Sequence, residues 1–219
     1  MIDLSSIQEK AQLHDMVRDP RRYVHSIREE VTGVVIFLGI IWACYVLSCF
    51  FPLNDLALIP RTVRGLPGIV MAPFLHESWG HLLGNTFSLF ILLTLLAGSR
   101  ARSPYIVASL ILTSGVLLWL FGRNGTPDAP RAHVGASGLV YALITFHICA
   151  GIFERRLVSI AISILVGLFY GLTLVQGITP LTQHPAISWD GHLMGAIAGV
   201  LVAAAWTMPA YLRRKREVK

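Results

Sequence analysis

Charge is what this chain has least of. Only 14% of its 219 residues are Asp, Glu, Lys or Arg, against roughly 25% in soluble domains. With 54% hydrophobic residues and a mean hydropathy of +0.64, that shortage excludes a water-soluble domain and marks long segments that never meet water. Cysteine is also scarce. Cys44, Cys49 and Cys149 all fall in apolar segments. An odd number with no Cys-x-x-Cys pair argues against a disulfide framework or a zinc site, so they read as small buried hydrophobes. A His-Glu-x-x-His helix is missing too. His76 and His81 are five apart, not at the i, i+4 spacing of a zinc-binding pair, so neither metal nor cofactor is expected. The first 30 residues are polar and hold no apolar core of a leader, so no cleavable signal peptide is expected. The sequence holds no internal repeat, low-complexity tract or separate soluble domain. The net charge of +6 is not a nucleic-acid signature, because the basic residues sit in short clusters between apolar runs.

What is present is a series of apolar runs. Six are read, at about 33–51, 81–98, 104–121, 137–153, 157–176 and 191–211, most of them near the roughly 20 residues that a membrane-spanning helix needs. This predicts an all-α, six-span membrane protein. Residues 1–32 form a cytoplasmic N-terminal segment, 33–211 the helical core and 212–219 a basic cytoplasmic tail. The basic residues set the orientation. With the N terminus inside, fourteen lie in inner segments, and only Arg61, Arg64, Arg123 and Arg131 lie in outer ones. Both termini are then cytoplasmic, and the run Arg213-Arg214-Lys215-Arg216 anchors to lipid headgroups.

In that topology spans two, four and six run from outside to inside, so residues at their starts share one depth. These are the spans with unusual polar residues at their starts. Span two opens with His76, His81 and Asn85, span four with Gly135-Ala136-Ser137-Gly138, and span six with Asp190-Gly191-His192. A serine hydroxyl is a weak nucleophile until a base takes its proton, and histidine is the usual base near neutral pH. Ser137 also stands at a helix N terminus, where free backbone N–H groups can hold a developing oxyanion. His81 and Asn85 are four apart, on one helix face, and can supply further donors. Gly191, Gly195 and Gly199 form a small-residue face on span six, and Gly138 and Ala142 offer a matching one on span four. Tyr141, one turn below Ser137, is placed to pack against the imidazole.

At these residues the chain resembles the rhomboid family of intramembrane serine proteases. The matching parts are Gly135-x-Ser137-Gly138 with Tyr141, His76-x4-His81-x3-Asn85, and His192 with Gly195 and Gly199. Gly-x-Ser-Gly alone is a weak signal; three motifs in order on alternate spans are a specific one. The resemblance implies a Ser137–His192 dyad without a catalytic acid, and an oxyanion hole from the Ser137 backbone N–H, His81 and Asn85. It implies His76 as a support for the first outer loop. The implied reaction is hydrolysis of a peptide bond within a transmembrane segment of another membrane protein, through an acyl-enzyme. Spans two and five would form a gate, and the loop around 177–188 a cap. The setting would be the plasma membrane of a prokaryote, with the site opening to the outer face. One departure is visible: the Trp-Arg pair that many members carry in the first outer loop is missing from Arg64-Gly-Leu-Pro-Gly-Ile-Val-Met-Ala-Pro-Phe-Leu75.

Simpler roles stand beside these. A serine in a membrane helix commonly bonds back to a carbonyl, and His81 and Asn85 can cross-link helices. Asp190, two residues from His192, does not share its helix face and reads as a helix-start residue. His133, His147 and His184 read as structural, and Glu77 and Ser78 as capping or interfacial. Two other functions remain in view. One is a rhomboid-like protein that binds membrane clients without cleaving them. The other is a small transporter using intramembrane His and Asn, against which the lack of an inverted repeat counts.

Overall fold

The computed structural model describes residues 20–100, 103–126, 131–179 and 188–217, with side chains from residue 28 to residue 208. Six long helices follow one another: α1 (Pro20–Ser48), α2 (Trp79–Ser99), α3 (Ser103–Phe121), α4 (Ser137–Glu154), α5 (Leu157–Ile178) and α6 (Trp189–Glu217). All six are long and apolar enough to cross a membrane. Five agree with the apolar runs to within a few residues at their starts. The exception is α1, which begins at Pro20 rather than near residue 33. Proline is favoured at a first helical position, where its missing N–H is no loss, and the polar stretch that follows continues one helix with the span. At the other end, α6 runs on to Glu217.

The helix α4 is the centre of the bundle. Its buried residues include Leu139, Val140, Tyr141, Ala142, Leu143, Ile144, Phe146 and Ala150, on every side of the helix, as a helix surrounded by protein requires. The helix α6 lies directly against it. A Cβ added to Gly195 would come 2.1 Å from the Gly138 carbonyl oxygen, and one on Gly199 2.1 Å from that of Ala142. The small-residue faces read from the sequence therefore meet, backbone to backbone. Thr145 adds a cross-helix bond, its Oγ1 donating to the Ala196 carbonyl at 2.8 Å. By contrast α5 shows most of its surface outward, with Leu168 78% and Phe169 74% exposed. In a bilayer such a face meets lipid.

The chain between α1 and α2 forms the first loop between spans, with short helical turns at Leu53–Leu56, Gly68–Met71 and Ala72–Phe74. It holds no Trp-Arg pair and is fastened by backbone bonds instead. Leu58 and His133 exchange N–H···O bonds of 3.1 and 2.8 Å, and Gly135 N–H donates to Ala72 at 2.9 Å. Trp119 of α3 reaches in, its indole N–H donating to the Thr62 carbonyl at 3.0 Å. At the opposite end of the bundle, Arg100 clamps Glu154 through two bonds of 2.5 and 2.9 Å, and Ser159 of α5 donates to the same carboxylate at 2.5 Å. Ser103 also donates to Glu30 there. His147 ties α4 to the Leu92 carbonyl of α2 at 3.0 Å, a structural role as expected. The cysteines differ from expectation. All are free, Cys44 and Cys149 are half-buried and Cys49 is exposed. Cys44 and Cys149 lie within spans, where a weakly polar thiol can face lipid, and Cys49 lies just past the end of α1. His184 and most of the 177–188 loop lie outside the described residues.

Candidate active site

The starts of α2, α4 and α6 converge at one end of the bundle. Ser137 is the first residue of α4, entered through Gly135 at φ +107°. That conformation favours glycine, and space demands it as well: a Cβ there would lie 2.4 Å from His81 Cε1. The His81 ring thus rests on the turn that presents Ser137. The N–H of Val140 donates to Ala136 at 3.0 Å, and that of Ala136 points to His76 Nε2 at 3.4 Å. The N–H groups of Ser137, Gly138 and Leu139 belong to the unpaired first turn of the helix.

His76 and Asn85 form a second part of the site. Asn85 is buried, and its side-chain N–H donates to His76 Nε2 at 3.1 Å. Two donors on one ring nitrogen fix His76 as a neutral acceptor there. Burial first, and then the neighbouring His81, hold its pKa down to about 4. His76 therefore sits between the loop, α2 and the turn before Ser137, while its ring meets His81 edge-on at 5.2 Å. One amide hydrogen of Asn85 is used in this bond; the other remains for a further acceptor. Ser78 caps α2 by accepting from His81 N–H at 3.3 Å, and Glu77 is exposed.

His192 lies in the first turn of α6, buried, its ring stacked on Tyr141 at 4.2 Å and 7°. Its Nδ1 is 3.1 Å from the carbonyl oxygen of Gly177. A carbonyl can only accept, so the proton is on Nδ1 and Nε2 keeps its lone pair. Among the described residues, Ser137 and His192 make no hydrogen bond to each other. Such bonds are often long before substrate is held.

Asp190 turns away from His192. Its carboxylate accepts from the Arg123 N–H at 2.8 Å, the Arg123 guanidinium at 3.0 Å and the Ser188 hydroxyl at 3.1 Å. His133 completes this strap, with Nδ1 2.6 Å from Ser188 and Nε2 3.2 Å from the Arg123 carbonyl. Burial pushes the pKa of His133 down, against the pull of Asp190. The strap binds the α3–α4 loop to the start of α6, a helix-start role for Asp190. Arg123 entered the sequence reading only as a charge; nothing local to it in the sequence points to Asp190, 67 residues on. Behind Ser137 a cavity of about 40 Å³ is lined by Ser114, His133, Ser137 and Ser188 among apolar neighbours. That is enough for water, with polar groups to hold it. No group of three or more His, Cys, Asp or Glu fit for a metal occurs among the described residues.

Comparison with known proteins gives a consistent picture. The family model of the Rhomboid domain matches residues 64–208. Uncharacterized proteins of Mycobacterium tuberculosis and Mycobacterium bovis are 38% identical over 162 residues, 73% of this chain and 66% of theirs. The chain thus spans just under two thirds of the length of these relatives. A rhomboid-type serine protease 2 of Eremothecium gossypii is 28% identical over 187 residues, 83% of this chain and 69% of its own.

Proposed function

The chain belongs to the rhomboid family, and from that membership we propose that it is an intramembrane serine endopeptidase working through Ser137 and His192. The observation that carries this reading is the setting of His192. Its ring is clamped between Tyr141 and the Gly177 carbonyl, with the Nε2 lone pair left for the hydroxyl at the start of α4. In the proposed reaction Nε2 takes the Ser137 proton as Oγ attacks the scissile carbonyl carbon. The oxyanion is held by the Ser137 N–H, the free amide hydrogen of Asn85 and His81. The proton on Nε2 then passes to the leaving amine, and an acyl-enzyme remains. Water then gives a proton to Nε2 as its oxygen bonds to the acyl carbon, and Nε2 returns that proton to Ser137 Oγ as the acyl–oxygen bond breaks. The small cavity that Ser137 lines has room for such a water.

The substrate is proposed to be a transmembrane segment of another membrane protein, reaching the site sideways from the bilayer between α2 and α5. Breaking open a helix in lipid is costly, so segments with weak helices near the cut are preferred. No metal or cofactor takes part in these steps. Both termini are proposed to be cytoplasmic and the site to open to the outer face, on the charge asymmetry of the loops.

A second reading is a client-binding protein without protease activity. The lack of a Ser137–His192 hydrogen bond among the described residues fits this reading as well as it fits a protease without its substrate. Covalent labelling by a fluorophosphonate separates the two. Labelling of the wild type that is lost in Ser137→Ala supports the protease; no labelling, with cleavage absent from a panel of single-span substrates, supports the alternative.

A further inference from the structure

The proposed dyad has no acid, and something else must do that work. In a three-residue triad the carboxylate holds the imidazole in one tautomer and stabilises the imidazolium that forms. Here the oxygens of Asp190 are engaged by Arg123 and Ser188. What faces His192 Nδ1 is the backbone carbonyl of Gly177, 3.1 Å away. Gly177 lies in the last turn of α5, which ends at Ile178. Carbonyls of a last turn have no intrahelical partner and carry the negative end of the helix dipole. A cationic ring is therefore favoured at this spot.

Two contacts bring that carbonyl into place. The Tyr141 hydroxyl donates to the Thr173 carbonyl, one turn back on α5, at 3.0 Å. The ring of the same tyrosine stacks on His192. Tyr141 therefore sets the helix end and the imidazole against each other. The approach leaves no space at residue 177: a Cβ there would lie 1.6 Å from the Tyr141 hydroxyl oxygen. Glycine is required by this crowding, not by its backbone angles.

We infer that Gly177 is a positioning residue of the proposed reaction, its main-chain carbonyl replacing the missing acid. It holds His192 in the Nδ1–H tautomer and stabilises the imidazolium formed when Nε2 takes the Ser137 proton. No proton passes to the carbonyl. The Nδ1–H stays on the ring throughout, and the proton on Nε2 goes to the leaving group. The inference rests on the Ser137–His192 reading.

The test uses the full chain in phospholipid vesicles with Ile178 replaced by its α-hydroxy analogue. The Gly177 carbonyl then becomes that of an ester, a weaker acceptor. The same replacement at Thr179 leaves it an amide and serves as the control. The rate of covalent labelling by a fluorophosphonate is followed against pH, together with thermal unfolding. The ester at 178 is expected to slow labelling about tenfold, the weight of one hydrogen bond to a charged group, and to move the acid limb of the profile to lower pH. The control is expected to keep the wild-type rate and profile. Nitrogen NMR of the His192 ring in Ser137→Ala gives a second reading, with the proton expected on Nδ1. An unchanged rate and pH profile in the 178 ester, or a bare Nδ1, overturns the inference while leaving Ser137 as nucleophile. A wild type that takes no label at Ser137 overturns the nucleophile itself, and this inference with it.

Discussion

At the residue scale the site is built around three histidines, His76, His81 and His192, each held by its own contacts. His76 illustrates the consequence. It accepts from Asn85 and from Ala136 through one nitrogen, and burial holds its pKa down to about 4 from an ordinary 6.5. The unfolded chain then binds more protons than the folded one between those values, so stability rises with pH across that window. Acidification from pH 6.5 towards 4 is expected to lower the unfolding temperature, and His76→Gln, which cannot gain that proton, to flatten the dependence. Calorimetry in detergent over that range measures both. For Asn85→Ala, losing one oxyanion donor is expected to lower kcat by about 100-fold or more with a smaller change in KM. A panel of single-span substrates, assayed with Ser137→Ala as the baseline, checks it. Equal falls in kcat and affinity would mean that Asn85 only positions the loop through His76.

At the element scale the pairing of α4 with α6 decides whether Ser137 and His192 meet. The two backbones touch at Gly138–Gly195 and Ala142–Gly199, and Thr145 bonds across. Gly199→Ala puts a methyl group 2.0 Å from Thr145 Oγ1 as well as against the Ala142 carbonyl. A loss of about 1–3 kcal/mol is expected, as for other overpacked sites, with unfolding in mixed micelles as the measurement. Thr145→Ala should not rescue it, since the backbone contact remains. On α5 the fastening is uneven. Its first turn is tied by Ser159 to the Arg100–Glu154 pair. Its last turns are held by Tyr141 and His192, and its long outward face is exposed among the described residues. Glu154→Ala leaves the half-buried Arg100 without its carboxylate partner, and a cost of about 1.5–3 kcal/mol is expected, the weight of hydrogen bonds to a charged group. Arg100→Met with Glu154→Leu should recover most of it, which denaturation of the two variants resolves.

At the scale of the whole molecule, the charge distribution makes a prediction about topology. Fourteen of eighteen basic residues fall in the segments read as inner and four in those read as outer. A chain with its native cysteines replaced and a single cysteine at Lys219 is expected to react with a membrane-impermeant maleimide only after the cell is opened. One at Arg64 should react in intact cells. The opposite pattern would invert the proposed orientation and place the site on the inner side.

The number of spans and the starts of five of them were legible in the sequence, and the side chains of the proposed site were read from it as well. A span is written in local composition: about twenty apolar residues with few charges leave no alternative in a bilayer. The glycine faces of α4 and α6 were legible for a related reason, since small residues at four-residue spacing define one helix face. What the sequence could not hold was anything that depends on two distant backbones. The strap from Arg123 to Asp190 and the fastening of the α1–α2 loop by Leu58 and His133 link segments far apart in the chain. The carbonyl of Gly177 is the plainest case. Every residue has a carbonyl, so no pattern of side chains marks the one that faces His192. Only the packing of α5 on Tyr141 selects it.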